Sequence, residues 1–114
     1  MLVQETKNTD LFINLAANAD VQFDTSKSTY IDLKVNTVSA YNELEAMHKN
    51  IVKNLIFLSS SAYGLADPVP TPETYDLLIT ESLYASSKLA SKGVIAAFAK
   101  YSVLTLGSLD LRIL

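Results

Sequence analysis

The side chains best suited to chemistry are Tyr84, Lys88 and the serine run Ser59, Ser60 and Ser61. Residues four apart are neighbours on a helix, so the ammonium of Lys88 can lie beside the phenol of Tyr84. A positive charge favours the phenolate and lowers a phenol pKa that is otherwise about 10. Such a phenolate can take a proton from a hydroxyl group while a serine hydroxyl holds the reacting oxygen. The pattern therefore predicts acid–base chemistry at a hydroxyl group.

The Tyr-x-x-x-Lys spacing is a weak signal by itself, because Tyr30 and Lys34 repeat it. Only Tyr84 follows a serine run and a long, proline-containing loop over residues 62–81, and long loops are often functional. We therefore interpret Tyr30 as an ordinary helix residue. For Tyr84 the alternative interpretation is a core tyrosine, with the serines forming no more than a turn.

Alternating strands and helices must position these side chains. Residues 10–17 are apolar and end in small residues, which is typical of a strand buried on both faces of a parallel sheet. Further segments are a helix over 28–50 with capping residues at 24–26, a strand over 54–58, a helix over 82–101, and one or two short strands within 103–106 and 109–114. This order predicts an α/β fold with parallel strands in one domain, 1–114. Chemistry then collects at the carboxyl ends of the strands.

The helix over 28–50 has two distinct faces. Its apolar face recurs at spacings of three and four and comprises Ile31, Val35, Val38, Tyr41, Leu44, Met47 and Ile51. The opposite face carries Lys34, Asn42, Glu43 and Lys49. His48 follows at the last turn, where we expect it to meet solvent and the helix dipole.

The composition limits the possible partners. The net charge is −3 and the lysines and arginines are scattered, which argues against a nucleic-acid partner. The chain has no cysteine and one histidine, so disulfides, thiolate chemistry and a multi-histidine metal site are not expected. The first residues do not resemble a signal peptide, and no apolar run reaches the roughly 18 residues of a membrane helix. We expect a soluble cytoplasmic protein without a membrane partner.

Several ordered motifs between Asp10 and Tyr101 resemble one protein family. They are Leu15-Ala16-Ala17-Asn18-Ala19-Asp20, Tyr30 to Thr37 with Asn36, Asn42 to Met47, the serine run with Tyr63-Gly64, Pro70-Thr71-Pro72-Glu73, and Tyr84 to Lys88. Together they are similar to the extended short-chain dehydrogenases, in the NAD-dependent epimerase/dehydratase family, and closest to its UDP-glucose 4-epimerase-like branch. Two departures are Asn14 in place of a histidine and one residue fewer between Ala62 and Tyr63.

The resemblance implies a partial Rossmann-like parallel sheet of about three strands with flanking helices. It also implies hydride transfer at a carbon of a nucleotide sugar, with NAD as the cofactor and NADP as the alternative. Tyr84 would be the acid and base, Lys88 would bind the nicotinamide ribose, and Ser60 would be the serine partner, with Ser59 or Ser61 as alternatives. Residues implied to line the cofactor are Leu15, Ala16, Ala17, Asn36, Ser59, Tyr84 and Lys88.

The family's glycine-rich pyrophosphate loop has no counterpart here, since the three glycines are Gly64, Gly93 and Gly107. The strands that precede the matched region in the family are not found either. We therefore expect a fragment with little affinity for NAD by itself, whose exposed sheet edge favours a homodimer or a complementary half. The alternative is a non-catalytic truncated or assembly-partner domain. The particular sugar, and epimerisation versus dehydration, are left open.

Overall fold

The computed structural model describes residues 1–18, 28–60, 80, 82–102 and 105–111, with residues 60 and 105–111 described by their backbone alone. Its three strands are β1 Leu11–Asn14, β2 Asn54–Ser60 and β3 Thr105–Leu111. They form one parallel sheet in the order β1-β2-β3. The predicted second strand therefore continues into the serine run, and the described residues 105–111 near the chain's end form one strand. Parallel neighbours require helical crossovers, and the prediction of an α/β fold is confirmed.

Helices connect the strands and flank the sheet. They are α1 Leu2–Glu5, α2 Tyr30–Asp32, α3 Ser39–Lys49 and α4 Leu83–Tyr101, with a π-helical segment, Leu33–Val38, between α2 and α3. The predicted helices over 28–50 and 82–101 are confirmed. Helix α4 begins at its N-cap, Ser82, whose hydroxyl accepts the Ala85 N–H at 3.1 Å. The capping residues predicted at 24–26 lie outside the described residues.

Helix α1 was not predicted, because four residues are too few to show a helical period. It is fixed by Asn50, whose side-chain amide donates to the Val3 carbonyl and to Thr6 Oγ1, both at 2.6 Å. Thr6 is buried, with 1% of its surface exposed. Contacts made in the folded chain, rather than its own sequence, define this helix.

The core lies between the sheet and helices α3 and α4. Its buried side chains are Leu44, Met47, Val52, Leu55, Phe57 and Ile95, with Phe12, Val94 and Phe98 packed against them. Tyr41 meets Phe98 edge to face, with ring centroids 5.5 Å apart.

The prediction that β1 is buried on both faces is wrong. Phe12 is half-buried and Asn14 is buried, whereas Leu11 and Ile13 are 43% and 52% exposed. Successive strand residues point to opposite faces, so the described helices cover only one face of β1. An apolar run therefore predicted the strand but not the coverage of its second face.

The predicted polar face of α3 is also wrong for one residue, because Glu43 is buried. Four residues assigned to the apolar face are also exposed, namely Ile31, Val38, Tyr41 and Ile51, at 43%, 37%, 46% and 76%. A π-helical segment precedes Tyr41 and Glu43, and in it the Ser39 N–H donates to the Lys34 carbonyl five residues earlier. This wider turn rotates the following residues away from the directions that a regular α-helix predicts. His48 is exposed, as predicted.

Replacing Ile51 by glycine is expected to stabilise the chain. Ile51 has a φ of 59° at the end of α3, where the Val52 N–H closes the turn by donating to the Met47 carbonyl at 2.9 Å. A β-branched residue in this conformation is strained by about 1–2 kcal/mol, and glycine's greater backbone entropy offsets about 0.5–1 kcal/mol of the relief. Urea denaturation should show Ile51→Gly more stable by about 0.5–1 kcal/mol. Ile51→Ala keeps Cβ and is the control; an equal gain with alanine would contradict the explanation.

Among the described residues, no helix combines the length and apolar character needed to cross a membrane.

Candidate functional site

The carboxyl ends of β1 and β2 lie at the same edge of the sheet. Asn14, the last residue of β1, is in register with Phe57, and β2 continues to Ser60. The segment over residues 15–18 leaves this edge, and the first turn of α4 faces it through the contacts described next. Such an edge of a parallel sheet is where ligands bind in α/β folds.

Asn36 connects the segment after β1 to the start of α4. Its side chain is 3% exposed. Asn36 Oδ1 accepts the Asn18 N–H at 2.8 Å, and its amide donates to Ser87 Oγ, also at 2.8 Å. The Ser87 hydroxyl in turn donates to the Tyr84 carbonyl at 2.7 Å. One buried amide therefore fixes the position of the first turn of α4 relative to residues 15–18.

Small side chains let α4 approach the π-helical segment closely. The Ser91 hydroxyl is fully buried and lies 3.0 Å from the Asn36 carbonyl and 2.8 Å from the Ser87 carbonyl, both acceptors. Thr37 Oγ1 donates to the Ser87 carbonyl at 2.9 Å. Sequence reasoning missed Ser87 and Ser91, although two serines one turn apart on a helix are a recognisable signal of close packing.

Lys88 is buried at the end of β2. It is 3% exposed, its ammonium donates to the Leu58 carbonyl at 2.8 Å, and the nitrogen lies 4.5 Å from the centre of the Phe57 ring. Burial lowers the pKa of Lys88 from its ordinary value, and the charge of Glu43 opposes that change. The carbonyl and the ring face both favour the charged ammonium.

Tyr84 lies in the first turn of α4, one turn before Lys88, and is half-buried. The apolar core described above does not include it. Part of its surface is therefore exposed.

A second buried polar cluster was missed by sequence reasoning. Asn14 donates from its amide to Glu43 Oε2, and its Oδ1 accepts the Ala16 N–H at 3.0 Å. The Ser39 hydroxyl donates to Glu43 Oε1 at 3.2 Å. Burial raises the pKa of Glu43, while Ser39, Asn14 and Lys88 oppose the rise. The only signal in the sequence was Asn14 itself, a polar residue at the end of an apolar strand.

The structure brings most of the predicted site residues to this one edge. Leu15 and Ala16 are exposed, Ala17 and Tyr84 are half-buried, and Asn36, Ser59 and Lys88 are buried. Ser60 is described by its backbone alone, and Ser61, Tyr63 and the loop over 62–79 lie outside the described residues. The structure therefore does not choose among the three serines.

The small side chains after β1 would allow a dinucleotide to lie against their backbone. The two amides of Asn14 and Asn36 hold the backbone of residues 15–18, while the alanine side chains there allow close approach of a ligand. No buried side-chain nitrogen or oxygen lacks a partner within the described part of the chain, so the hydrogen bonds that hold residues 15–18 need no ligand to complete them. In that same part of the chain, no three His, Asp or Glu side chains are grouped to hold a metal ion.

Comparison with known proteins agrees with this arrangement. A family model described as the NAD dependent epimerase/dehydratase family matches residues 1–109. A search of curated proteins gave no significant match. Among solved structures, MoeE5 in complex with UDP-glucose and NAD is 31% identical, with a TM-score of 0.84 over 96% of this chain and 36% of MoeE5.

Two further structures match over the same part of the chain. The UDP-N-acetylglucosamine 4-epimerase from Methanobrevibacter ruminantium M1, in complex with UDP-N-acetylmuramic acid, is 26% identical, with a TM-score of 0.82 over 96% of this chain and 35% of that one. A double mutant of DesIV, the dTDP-glucose 4,6-dehydratase from Streptomyces venezuelae, has a TM-score of 0.84 over 96% of this chain and 34% of that one. At 22% identity, DesIV supports the fold alone. The chain spans about a third of the length of these structures. Because the family model covers nearly all of this chain, the chain belongs to the NAD-dependent epimerase/dehydratase family.

Proposed function

We propose that this chain forms the acid–base part of an NAD-dependent sugar-nucleotide epimerase or dehydratase. The observation that supports this most strongly is the buried link made by Asn36, which fixes the first turn of α4 against residues 15–18. Tyr84 and Lys88 lie on that turn and the next one, which supports the proposal of an acid–base group near a cofactor bound at residues 15–18. Membership of the family gives the reaction class.

Each residue then has one role in the reaction. The Tyr84 phenolate takes the proton from a sugar hydroxyl as the hydride leaves the same carbon, and it returns the proton in the reverse step. Lys88 places its ammonium near the cofactor ribose and one helical turn from the phenol. Ser60 holds the reacting oxygen, with Ser59 and Ser61 as the alternatives. When bound, NAD supplies the hydride acceptor.

NAD is the proposed cofactor and a nucleotide sugar the proposed substrate, since MoeE5 was solved with both NAD and UDP-glucose. Residues 15–17 and Asn36 would line the cofactor, with Ser59 beside the nicotinamide end. A binding experiment should compare NAD with NADP, and UDP-glucose with other nucleotide sugars.

A second candidate function is a non-catalytic assembly partner, and the uncovered face of β1 favours it. Leu11 and Ile13 leave apolar surface exposed on that face, which is unusual for a strand of a parallel sheet. Light scattering on the purified chain distinguishes the two candidates: a stable oligomer that binds neither NAD nor UDP-glucose would favour the assembly partner.

The proposed function can be tested in an exchange protein, defined as MoeE5 with its matched third replaced by this chain. The chain alone is expected to bind NAD more weakly than micromolar in calorimetry. The exchange protein is expected to bind NAD and to reduce it when UDP-glucose is added, seen as absorbance of the reduced nicotinamide. An exchange protein that folds and binds both ligands without reducing NAD would contradict the proposal.

A further inference from the structure

Glu43 is a carboxylate in an unusual place. Only 8% of its surface is exposed, and it lies on α3, the helix that follows the π-helical segment. Burying a carboxylate is costly unless hydrogen bonds or an opposite charge stabilise it. Its two oxygens accept from Asn14 and Ser39, so both are oriented by neighbouring side chains.

The register of the strands brings Glu43 and Lys88 to the same pair of neighbouring residues in the sheet. Asn14, which bonds to Glu43, is the register partner of Phe57. Register partners in adjacent strands point to the same face and lie about 5 Å apart. The Lys88 nitrogen lies 4.5 Å from the centre of the Phe57 ring. The Glu43 carboxylate on α3 and the Lys88 ammonium on α4 therefore lie beside two neighbouring register partners, Asn14 and Phe57.

Among the residues whose side chains the structure describes, few other charged groups surround Lys88. On α4 itself, Tyr84 and Lys92 lie one turn before and one turn after it. On the covered face, β1 and β2 contribute Phe12, Asn14, Leu55, Phe57 and Ser59, none of which is acidic. Asp32, before the π-helical segment, accepts instead from the Asn18 amide at 2.8 Å. Within this described part of the chain, which excludes the side chains of β3, Glu43 is the carboxylate that acts on Lys88, and it raises the pKa of Lys88 against the effect of burial.

We propose that Glu43 is a positioning residue for Lys88. Its carboxylate, held by Asn14 and Ser39, is the counter-charge that keeps the Lys88 nitrogen as an ammonium at the end of β2. The importance of this residue for catalysis rests on the proposed function, but its electrostatic role does not. The same carboxylate also reaches the cofactor segment, because Asn14 bonds to both Glu43 and the Ala16 N–H. A change in the charge of Glu43 therefore acts on both sides of the site.

Glu43→Gln tests the inference in the chain without any ligand. A glutamine at this position can accept from Asn14 and donate to Ser39, so the hydrogen bonds can be retained while the charge is lost. The titration of Lys88 is followed by NMR of its side-chain carbon and nitrogen, with the signal assigned from Lys88→Met. The expected result is a titration midpoint at lower pH than in the wild type, because a neighbouring negative charge favours the ammonium. Glu45→Gln removes a charge from the same helix and should leave the midpoint unchanged.

Glu43→Asp, which keeps the charge, should restore the midpoint toward the wild-type value. The reciprocal measurement does not need the glutamine variant to fold: in Lys88→Met the titration of the Glu43 carboxyl should move to higher pH. An unchanged Lys88 midpoint in Glu43→Gln, or an unchanged Glu43 midpoint in Lys88→Met, would overturn the inference. Neither titration depends on turnover, so an unchanged midpoint in either one would not contradict the proposed function. Loss of the proposed function would likewise leave these titrations unaffected.

Discussion

Tyr84→Phe is expected to reduce the rate of NAD reduction in the exchange protein by about 10²–10⁴-fold, the usual contribution of a positioned acid or base. The substitution removes one hydroxyl from a half-buried side chain that lies outside the apolar core. The Ser87 hydroxyl bonds to the backbone carbonyl of residue 84, so this link to Asn36 should survive the substitution. Calorimetry should therefore show NAD and UDP-glucose bound with nearly wild-type affinity while the chemical step is lost.

The chain contains a matched control for this substitution. Tyr30 has the same spacing to Lys34 as Tyr84 has to Lys88, but it is 55% exposed at the start of α2. Tyr30→Phe should leave the rate within about twofold, since an exposed hydroxyl contributes little. Equal rates for Tyr84→Phe and Tyr30→Phe would remove Tyr84 from the chemistry.

Asn36→Ala is expected to lower the free energy of unfolding of the chain by about 2 kcal/mol. The change leaves the Asn18 N–H without its acceptor and Ser87 Oγ without its donor, and a buried polar group left unpaired costs about 1–3 kcal/mol. Alanine's better helix propensity returns less than about 1 kcal/mol. Denaturation in urea measures the difference, and NAD binding by the exchange protein should weaken as well because residues 15–18 lose one of the hydrogen bonds that hold their backbone.

Asn42→Ala is the control for this effect. Asn42 is exposed on α3, so the same substitution there should change the free energy of unfolding by no more than about 0.5 kcal/mol. If Asn36→Ala were equally mild, the link between the cofactor segment and α4 would not be a structural element of the site.

Periodicity predicted the elements of this fold well, because strands and helices differ in how their apolar residues repeat. The apolar run before Asn14, the strand that leads into the serines and the long helix after Ser82 were all found at the predicted places. The faces of the first long helix were predicted less well. A wide turn over Leu33–Val38 precedes Glu43, which is buried although the α-helical period placed it on the polar face, and no residue type marks such a turn in a sequence.

The candidate site could be proposed from the sequence where it depends on local spacing, and not where it depends on contacts between elements. Tyr84 and Lys88 could be singled out because four residues bring them to one helix face. Glu43 could not be singled out, because its burial depends on the wide turn before it and on its contact with Asn14 at the end of β1. The hydrogen bonds of Ser87 and Ser91 to Asn36 form only when α4 lies against the π-helical segment.

The most direct measurement is a crystal structure of the exchange protein with NAD and UDP-glucose bound. The predicted result is a Tyr84 phenol oxygen within about 2.6–3.2 Å of the reacting sugar hydroxyl, the reach needed for proton transfer, with the Lys88 ammonium directed at the nicotinamide ribose. A sugar bound with its hydroxyls directed away from Tyr84, or a cofactor that does not contact residues 15–17, would contradict the assignment of this edge of the sheet as the active site.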